Sequence, residues 1–123
     1  MGSGTRVLLV EDDDATREML CAALNDAELD IIAALDGLHA LRTTFAVRPD
    51  ILVLDLGLPV LDGKTYLERW RERDPAAAAV PVIVMSAMPY GREIAESLGA
   101  VAYFAKPFEV HALIEAIRRY APR

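Results

Sequence analysis

Short apolar runs alternate along this chain with longer segments in which apolar residues recur at helical spacing. The short runs are rich in Val, Ile and Leu, and they predict strands at residues 5–10, 29–34, 51–54, 80–85 and 101–104. The periodic segments predict helices from Asp13 or Asp14 to about Leu24, and over residues 36–45, 63–71, 91–98 and 107–120. This alternation predicts right-handed crossovers and a parallel sheet that is covered by helices on both faces.

Capping and turn residues support these boundaries. An aspartate begins or precedes each of the first three helices, where its carboxylate accepts hydrogen bonds from free backbone amides: Asp13 or Asp14, Asp36 and Asp62. Asp74-Pro75 ends the third helix and Gly99 ends the fourth. Pro107 is predicted to occupy the first turn of the last helix, because its missing amide costs nothing there.

The predicted class is an α/β, flavodoxin-like fold with five parallel strands in the order 2-1-3-4-5 between helical layers. Such sheets bind ligands beyond the carboxyl ends of their strands, where the strand order reverses. The charged residues at those ends are Glu11 and Asp12 after strand one, Asp55 at strand three and Lys106 after strand five. Strands one and three would be neighbours about 4.8 Å apart, so Asp12 and Asp55 should face each other. Ser86 would lie on the other side of Asp55, and Lys106 would reach back towards it.

This cluster predicts a divalent metal site. Clustered carboxylates raise each other's pKa unless a cation lies among them, and one lysine does not neutralise three of them. An all-oxygen ligand set suits Mg²⁺. Asp12 and Asp55 are the natural direct ligands, and Glu11 is a candidate to hold a metal-bound water. The backbone carbonyl of Gly57 is a candidate to complete the protein's share of the coordination.

The same cluster predicts phosphoryl chemistry. A carboxylate can attack phosphorus to give an aspartyl phosphate, and cations and positioning carry most of the catalysis. Asp55 is the better nucleophile, because it stands at the centre of the sheet between the acidic pair and Ser86. Lys106, the hydroxyl of Ser86 and Mg²⁺ could each take one phosphoryl oxygen.

Composition narrows the function classes. The chain has 123 residues, of which 54% are hydrophobic, and this predicts one domain with a single core. The net charge of -6 argues against direct binding of nucleic acid. A single cysteine, no secretion signal and no apolar stretch of membrane-spanning length predict a cytoplasmic protein that does not enter a membrane. We expect residues 1–4 to be a disordered leader or a cloning remnant, and residues 5–121 to form the domain.

Four segments together resemble the receiver domain of two-component response regulators over nearly the whole chain. They are Val-Glu-Asp-Asp at 10–13, Asp-Leu-Gly-Leu-Pro-Val-Leu-Asp-Gly at 55–63, Val-Met-Ser-Ala at 84–87 and Lys-Pro-Phe at 106–108. The position of Tyr103, after Gly99-Ala100, is also similar to the family pattern. Each segment is a weak signal alone, but all of them stand in order at the predicted strand ends.

The resemblance implies that Asp55 accepts a phosphoryl group, with Mg²⁺, from a sensor histidine kinase or a histidine phosphotransfer protein. It implies that Lys106, Ser86 and Ala87 contact that group, that Ser86 turns towards it, and that Tyr103 swings inward. The changed face would be helix four, strand five and helix five. The Lys106–Pro107 peptide would be cis. The domain would not be an enzyme beyond weak self-catalysed phosphotransfer and dephosphorylation.

Departures from the family pattern leave the required chemical groups in place. Leu58 stands where the family often has Met, and Ser86 replaces the commoner Thr but keeps the hydroxyl. Gly57 and Met88 occupy positions that tune hydrolysis of the phosphoryl group in the family. Gly57 leaves room for water, whereas Met88 offers no polar group to orient it.

Three alternatives belong to other functional classes. A receiver-like scaffold would bind a protein partner without being phosphorylated, although it would not need an acidic triad. A metal-dependent phosphohydrolase usually has a second acid two residues after its nucleophile, where this chain has Gly57. A nucleotide or flavin binder needs a phosphate-cradling loop after strand one, where this chain has repelling acids. An output domain, an effector protein or a second copy of the chain are further candidate partners.

Overall fold

A computed structural model describes residues 4–122 and contains a five-stranded parallel sheet in the order β2-β1-β3-β4-β5. The strands are β1 Arg6–Val10, β2 Asp30–Ala34, β3 Ile51–Asp55, β4 Val82–Ser86 and β5 Ala102–Ala105. The helices are α1 Asp14–Asp26, α2 Gly37–Val47, α3 Gly63–Arg73, α4 Gly91–Ser97 and α5 Val110–Tyr120. A 3₁₀ helix covers Pro75–Ala79. The predicted fold class and strand order are confirmed.

The central strands are buried on both faces, as their unbroken apolar sequences predict. All residues of β3 and β4 are buried, and so is β1 after Arg6. Alternate side chains of these strands pack into two clusters on opposite faces of the sheet. The predicted inward side chains of α3, Tyr66, Leu67 and Trp70, are buried in one of them.

Helix capping follows the predicted aspartates. Asp13, Asp36 and Asp62 precede α1, α2 and α3, and their carboxylates accept from the backbone amides of Thr16, His39 and Thr65. The structure thus decides between the two candidates at the first helix: Asp13 is the cap and Asp14 the first helical residue. These bonds satisfy amides that lack partners within each helix.

The last helix begins later than predicted. Pro107 does not lie in the first turn of α5, which starts at Val110. The backbone amide of Lys106 donates to the carbonyl of Ser86 at 2.9 Å, so strand-like pairing continues to residue 106. The Lys106–Pro107 peptide is cis, as the family resemblance implies. Because α5 begins at Val110, Phe108 precedes the helix. The centre of its ring lies 5.4 Å from that of the Phe104 ring.

Residues 1–3 lie outside the described range, so the leader remains a prediction. Within residues 4–122, no helix combines the length and the apolar character that a bilayer crossing requires.

Helix α3 approaches the end of β3 very closely. A Cβ atom added to Gly63 would lie 2.5 Å from the backbone oxygen of Asp55 and 2.9 Å from Leu56 Cα. Only glycine allows this approach, because backbone atoms have little freedom to move away. The contact sets the height of α3 relative to the end of β3, where Asp55 stands.

We expect Gly63→Ala to lower the free energy of unfolding by roughly 2 kcal/mol, because an extra methyl group would overpack this contact. Gly57→Ala is the matched control. Its added Cβ would have its nearest neighbour, Asp55 Oδ1, at 3.9 Å, which is an ordinary contact. Urea denaturation of both variants measures the difference, and equal stability of the two would contradict the close approach.

Candidate functional site

The ends of β1 and β3 bring the predicted acidic residues together. Val10 pairs with Leu54 in the sheet, so the next residue of each strand points into the same region. Carboxylate oxygens of Glu11, Asp12 and Asp55 lie within 4.8 Å of one another. The strand order therefore gathers these three acids at the switch point, as the sequence predicts.

Lys106 spans the site from the far side of β4. Its Nζ donates to Glu11 Oε1 at 2.6 Å and to Asp55 Oδ2 at 3.1 Å. The sequence predicted that this side chain would reach back to Asp55. The structure adds that its shorter bond is to Glu11, so that the ammonium of Lys106, which follows β5, joins the residue after β1 to the last residue of β3.

Burial disfavours the charged forms of both Glu11 and Lys106. Glu11 is fully buried, and this burial raises the pKa of its carboxyl. Lys106 and the backbone amide of Asp13, which donates to Glu11 Oε2 at 3.1 Å, offset part of that rise. Burial also acts against the charge of Lys106, but hydrogen bonds and charges from Glu11 and Asp55 outweigh it and raise the lysine pKa. Lys106 is therefore protonated at neutral pH.

Asp55 is held on both carboxylate oxygens. Only 5% of the residue is exposed. Oδ2 accepts from Lys106, and Oδ1 accepts from the backbone amide of Gly57 at 3.1 Å. Two donors from different elements fix this carboxylate, so its orientation does not depend on rotamer preference alone.

Asp12 differs from the other two acids. It is exposed, and its carboxylate makes no hydrogen bond or ion pair with any residue in the 4–122 range. The donor set of Glu11, Asp12 and Asp55 is entirely oxygen, and three carboxylates face one ammonium. These residues fit Mg²⁺, which prefers oxygen ligands and tolerates partial hydration.

Ser86 and Ala87 lie at the end of β4, beside β3. Asp55 pairs with Met85 in the sheet, so Ser86 stands one residue further along. Ser86 is buried, and its Oγ accepts from the backbone amide of Met88 at 2.8 Å. Ala87 is exposed. The predicted positions of both residues near the site are thus consistent with the sheet register, whereas their roles stay predictions.

Tyr103 reaches from β5 towards the start of α4. A Cβ atom added to Gly91 would lie 2.5 Å from the Tyr103 hydroxyl and 2.8 Å from Ser86 Oγ. The guanidinium of Arg92 lies 5.0 Å from the centre of the Tyr103 ring. Sequence reasoning missed Gly91 and Arg92, because the first residues of a periodic segment indicate only a helix start.

Arg17 is another residue that sequence reasoning missed. Its Nη1 donates to the backbone carbonyls of Glu11 and Asp12, at 3.1 and 3.4 Å. The sequence places Arg17 one turn from Asp14 on a predicted helix, which signals an ion pair. Its contact with the preceding turn depends on how that turn folds back.

A groove of about 430 Å³ opens beside Lys106. Its lining is largely apolar, and Met19 on α1 is 49% exposed. The lining residues are Thr16, Met19, Ala87, Lys106, Pro107 and Phe108. The charged cluster therefore has an apolar surface along one side.

A family model described as the response regulator receiver domain matches residues 7–118. The transcriptional regulatory protein CseB of Streptomyces coelicolor is 40% identical over 120 residues, which cover 96% of this chain and 50% of that protein. The sporulation initiation phosphotransferase F of Bacillus subtilis is 34% identical over 119 residues, covering 95% of this chain and 94% of that protein. The chain spans about half the length of several of the curated relatives it matches.

Solved structures agree with these sequence matches. The receiver domain of the sensor histidine kinase PA1611 from Pseudomonas aeruginosa is 30% identical, with a TM-score of 0.84. The match covers 96% of this chain and 98% of that domain, whose structure has a magnesium ion coordinated in the active-site cleft.

We expect Lys106→Met to lower the free energy of unfolding by about 3 kcal/mol near pH 7, because buried Glu11 would lose its cation. Without Lys106 the folded-state pKa of Glu11 would rise further above its ordinary value. The folded variant would then bind a proton more readily than the unfolded chain. Its stability should therefore fall as pH rises from the ordinary pKa of a glutamate through the raised pKa of Glu11 in the folded protein. The loss should therefore be smaller near pH 4.5 than near pH 7.

Lys64→Met is the matched control for that experiment. Lys64 pairs with Glu68 at 2.9 Å, but about half of each side chain is exposed. Removing such a pair changes stability by only a few tenths of a kcal/mol. Denaturation curves at both pH values test this, and a pH-independent loss for Lys106→Met would contradict the role of buried Glu11.

Proposed function

This chain belongs to the response regulator receiver domain family of two-component systems, and we propose that Asp55 is its phosphoacceptor. One observation carries the proposal. The Asp55 carboxylate ends the central strand β3 and is held between Lys106 Nζ and the Gly57 amide, within 4.8 Å of carboxylate oxygens of Glu11 and Asp12. This arrangement supplies a fixed oxygen nucleophile with cationic and amide donors beside it.

The proposed reaction is transfer of a phosphoryl group from a phosphohistidine. A carboxylate oxygen of Asp55 forms a bond to phosphorus while the phosphorus–nitrogen bond breaks, and the electron pair leaves on the imidazole. Lys106 would move from balancing two carboxylates to binding a phosphoryl oxygen. The Ser86 hydroxyl and the Ala87 backbone are the proposed further contacts of that group.

Glu11, Asp12, Asp55 and the carbonyl of Gly57 are the proposed holders of Mg²⁺. When bound, Mg²⁺ would neutralise charge that develops on the phosphoryl oxygens. The pattern of contacts supports this assignment, since Lys106 already engages Glu11 and Asp55 while the Asp12 carboxylate is unpaired among the residues described. The PA1611 receiver domain, whose structure holds magnesium, gives independent support.

The proposed partners are a sensor histidine kinase or a histidine phosphotransfer protein. Support comes from the relatives, which include a sporulation phosphotransferase and the receiver domain of a histidine kinase. The apolar groove beside Lys106 supplies surface that such a partner would cover while presenting its phosphohistidine. Relatives of twice this length are transcriptional regulators, which supports an output domain or effector protein as the next partner.

We further propose that phosphorylation moves Ser86 and Tyr103, and thereby changes the surface of α4, β5 and α5. The buried Ser86 hydroxyl oxygen accepts a hydrogen bond from the Met88 amide. After phosphorylation it would give up this bond, and the hydroxyl would donate to a phosphoryl oxygen instead. Tyr103 shares the space beside Gly91 with Ser86, so movement of one side chain affects the other. That surface is also a candidate contact between two copies of the chain.

We expect Asp55→Asn to abolish formation of an alkali-labile acyl phosphate with phosphoramidate and Mg²⁺, since an amide is not a nucleophile towards phosphorus. Intact-protein mass spectrometry measures the single added phosphoryl group. Asp62→Asn is the matched control from the same loop, because Asn also caps a helix. Phosphorylation of Asp55→Asn, or its absence from the unsubstituted protein, would contradict the assignment.

We expect Gly91→Ala to leave phosphorylation of Asp55 intact but to uncouple Tyr103 from it. The new Cβ would lie 2.5 Å from the Tyr103 hydroxyl, which would turn outward because it is the free end of its side chain. NMR spectra with beryllofluoride and Mg²⁺ should then show a Tyr103 amide shift in the unsubstituted protein and little shift in the variant.

The double variant Gly91→Ala/Tyr103→Phe tests the steric cause of that effect. Removing the hydroxyl removes the contact at 2.5 Å, so the aromatic ring at 103 should respond to beryllofluoride again. A wild-type Tyr103 shift in Gly91→Ala alone would contradict the shared-space account.

A further inference from the structure

We propose that Arg17 is a positioning residue for metal binding, which holds the turn between β1 and α1 so that Asp12 presents its carboxylate to Mg²⁺. This inference rests on the proposed function, because it takes Mg²⁺ to bind at Glu11, Asp12 and Asp55. It adds a residue outside the predicted ligand set, on the first turns of α1.

The Arg17 guanidinium joins three points of one turn. Nη1 donates to the carbonyl of Glu11 at 3.1 Å and to that of Asp12 at 3.4 Å. Nη2 donates to Asp14 Oδ1 at 2.5 Å. Only 14% of the Arg17 side chain is exposed, so the guanidinium packs over the turn instead of extending into solvent.

Asp12 is the acid for which this support matters most. Both carboxylate oxygens of Glu11 have donors, as do both of Asp55. The Asp12 side chain has no hydrogen-bonding or charged partner in the described part of the chain, and Arg17 is the side chain that holds its backbone carbonyl. A ligand that is fixed only through its backbone depends on that backbone for preorganisation.

Loss of Arg17 would affect Mg²⁺ binding in opposite directions through electrostatics and through positioning. A guanidinium near a divalent cation repels it, so loss of this charge would strengthen Mg²⁺ binding. If Arg17 acts by positioning, its loss frees the turn and weakens Mg²⁺ binding. The sign of the change therefore separates the two effects.

The experiment is an NMR titration of the full chain with Mg²⁺ at constant ionic strength, following amide shifts of residues 11–13 and 55–57. We expect Arg17→Met to raise the Mg²⁺ dissociation constant roughly 10-fold, as loss of supporting contacts around a metal site does. Arg17→Lys keeps the charge but lacks the planar guanidinium that spans both carbonyls and Asp14. Its Mg²⁺ dissociation constant should therefore lie between those of Arg17→Met and the unsubstituted protein. Thermal unfolding confirms that each variant is folded at the titration temperature.

Arg42→Met is the matched control, because Arg42 is exposed on α2 and its loss changes the net charge equally. It should bind Mg²⁺ as the unsubstituted protein does. Equal or tighter binding by Arg17→Met, with Arg17→Lys unchanged, would overturn the positioning role while leaving the proposed function intact. Failure of the unsubstituted protein to shift these amides with Mg²⁺ would overturn both.

Discussion

The ion pairs that Lys106 makes with Glu11 and Asp55 are the constraint on which the site depends. Both carboxylates are almost completely buried, and one ammonium is shared between them at 2.6 and 3.1 Å. Because Lys106 follows β5 while its partners follow β1 and end β3, the pairs tie together strand ends on both sides of β4. A buried ion pair is weak evidence for stability, since desolvation offsets much of its attraction. Its presence is better explained by a site that needs fixed charges.

Close backbone packing determines where those charges stand. Gly63 allows α3 to touch the backbone of Asp55, and Gly91 allows the start of α4 to touch Ser86 and Tyr103. Two helices thus rest directly on the proposed phosphoacceptor and on the two proposed switch residues. The groups at these two contacts have little room to move without displacing a neighbour.

Much of the fold and of the acidic cluster could be predicted from the sequence. The apolar runs locate the strands, and one rule of strand order then brings Asp12 and Asp55 together. Other contacts of the site depend on the direction in which long side chains extend, which the spacing of apolar residues does not predict. The shorter bond of Lys106 to Glu11 and the clamp of Arg17 on its turn are such cases. Pro107 was assigned wrongly to α5, because its preference for a first helical turn was overridden by strand pairing that continues through Lys106.

Phosphoryl transfer to Asp55 is tested most directly by reductive trapping. The unsubstituted protein would be treated with phosphoramidate and Mg²⁺, reduced with borohydride and digested for tandem mass spectrometry. Borohydride converts an aspartyl phosphate to homoserine, so we expect homoserine at position 55 in a reaction that needs both phosphodonor and Mg²⁺. Homoserine at another aspartate, or none at any, would contradict it.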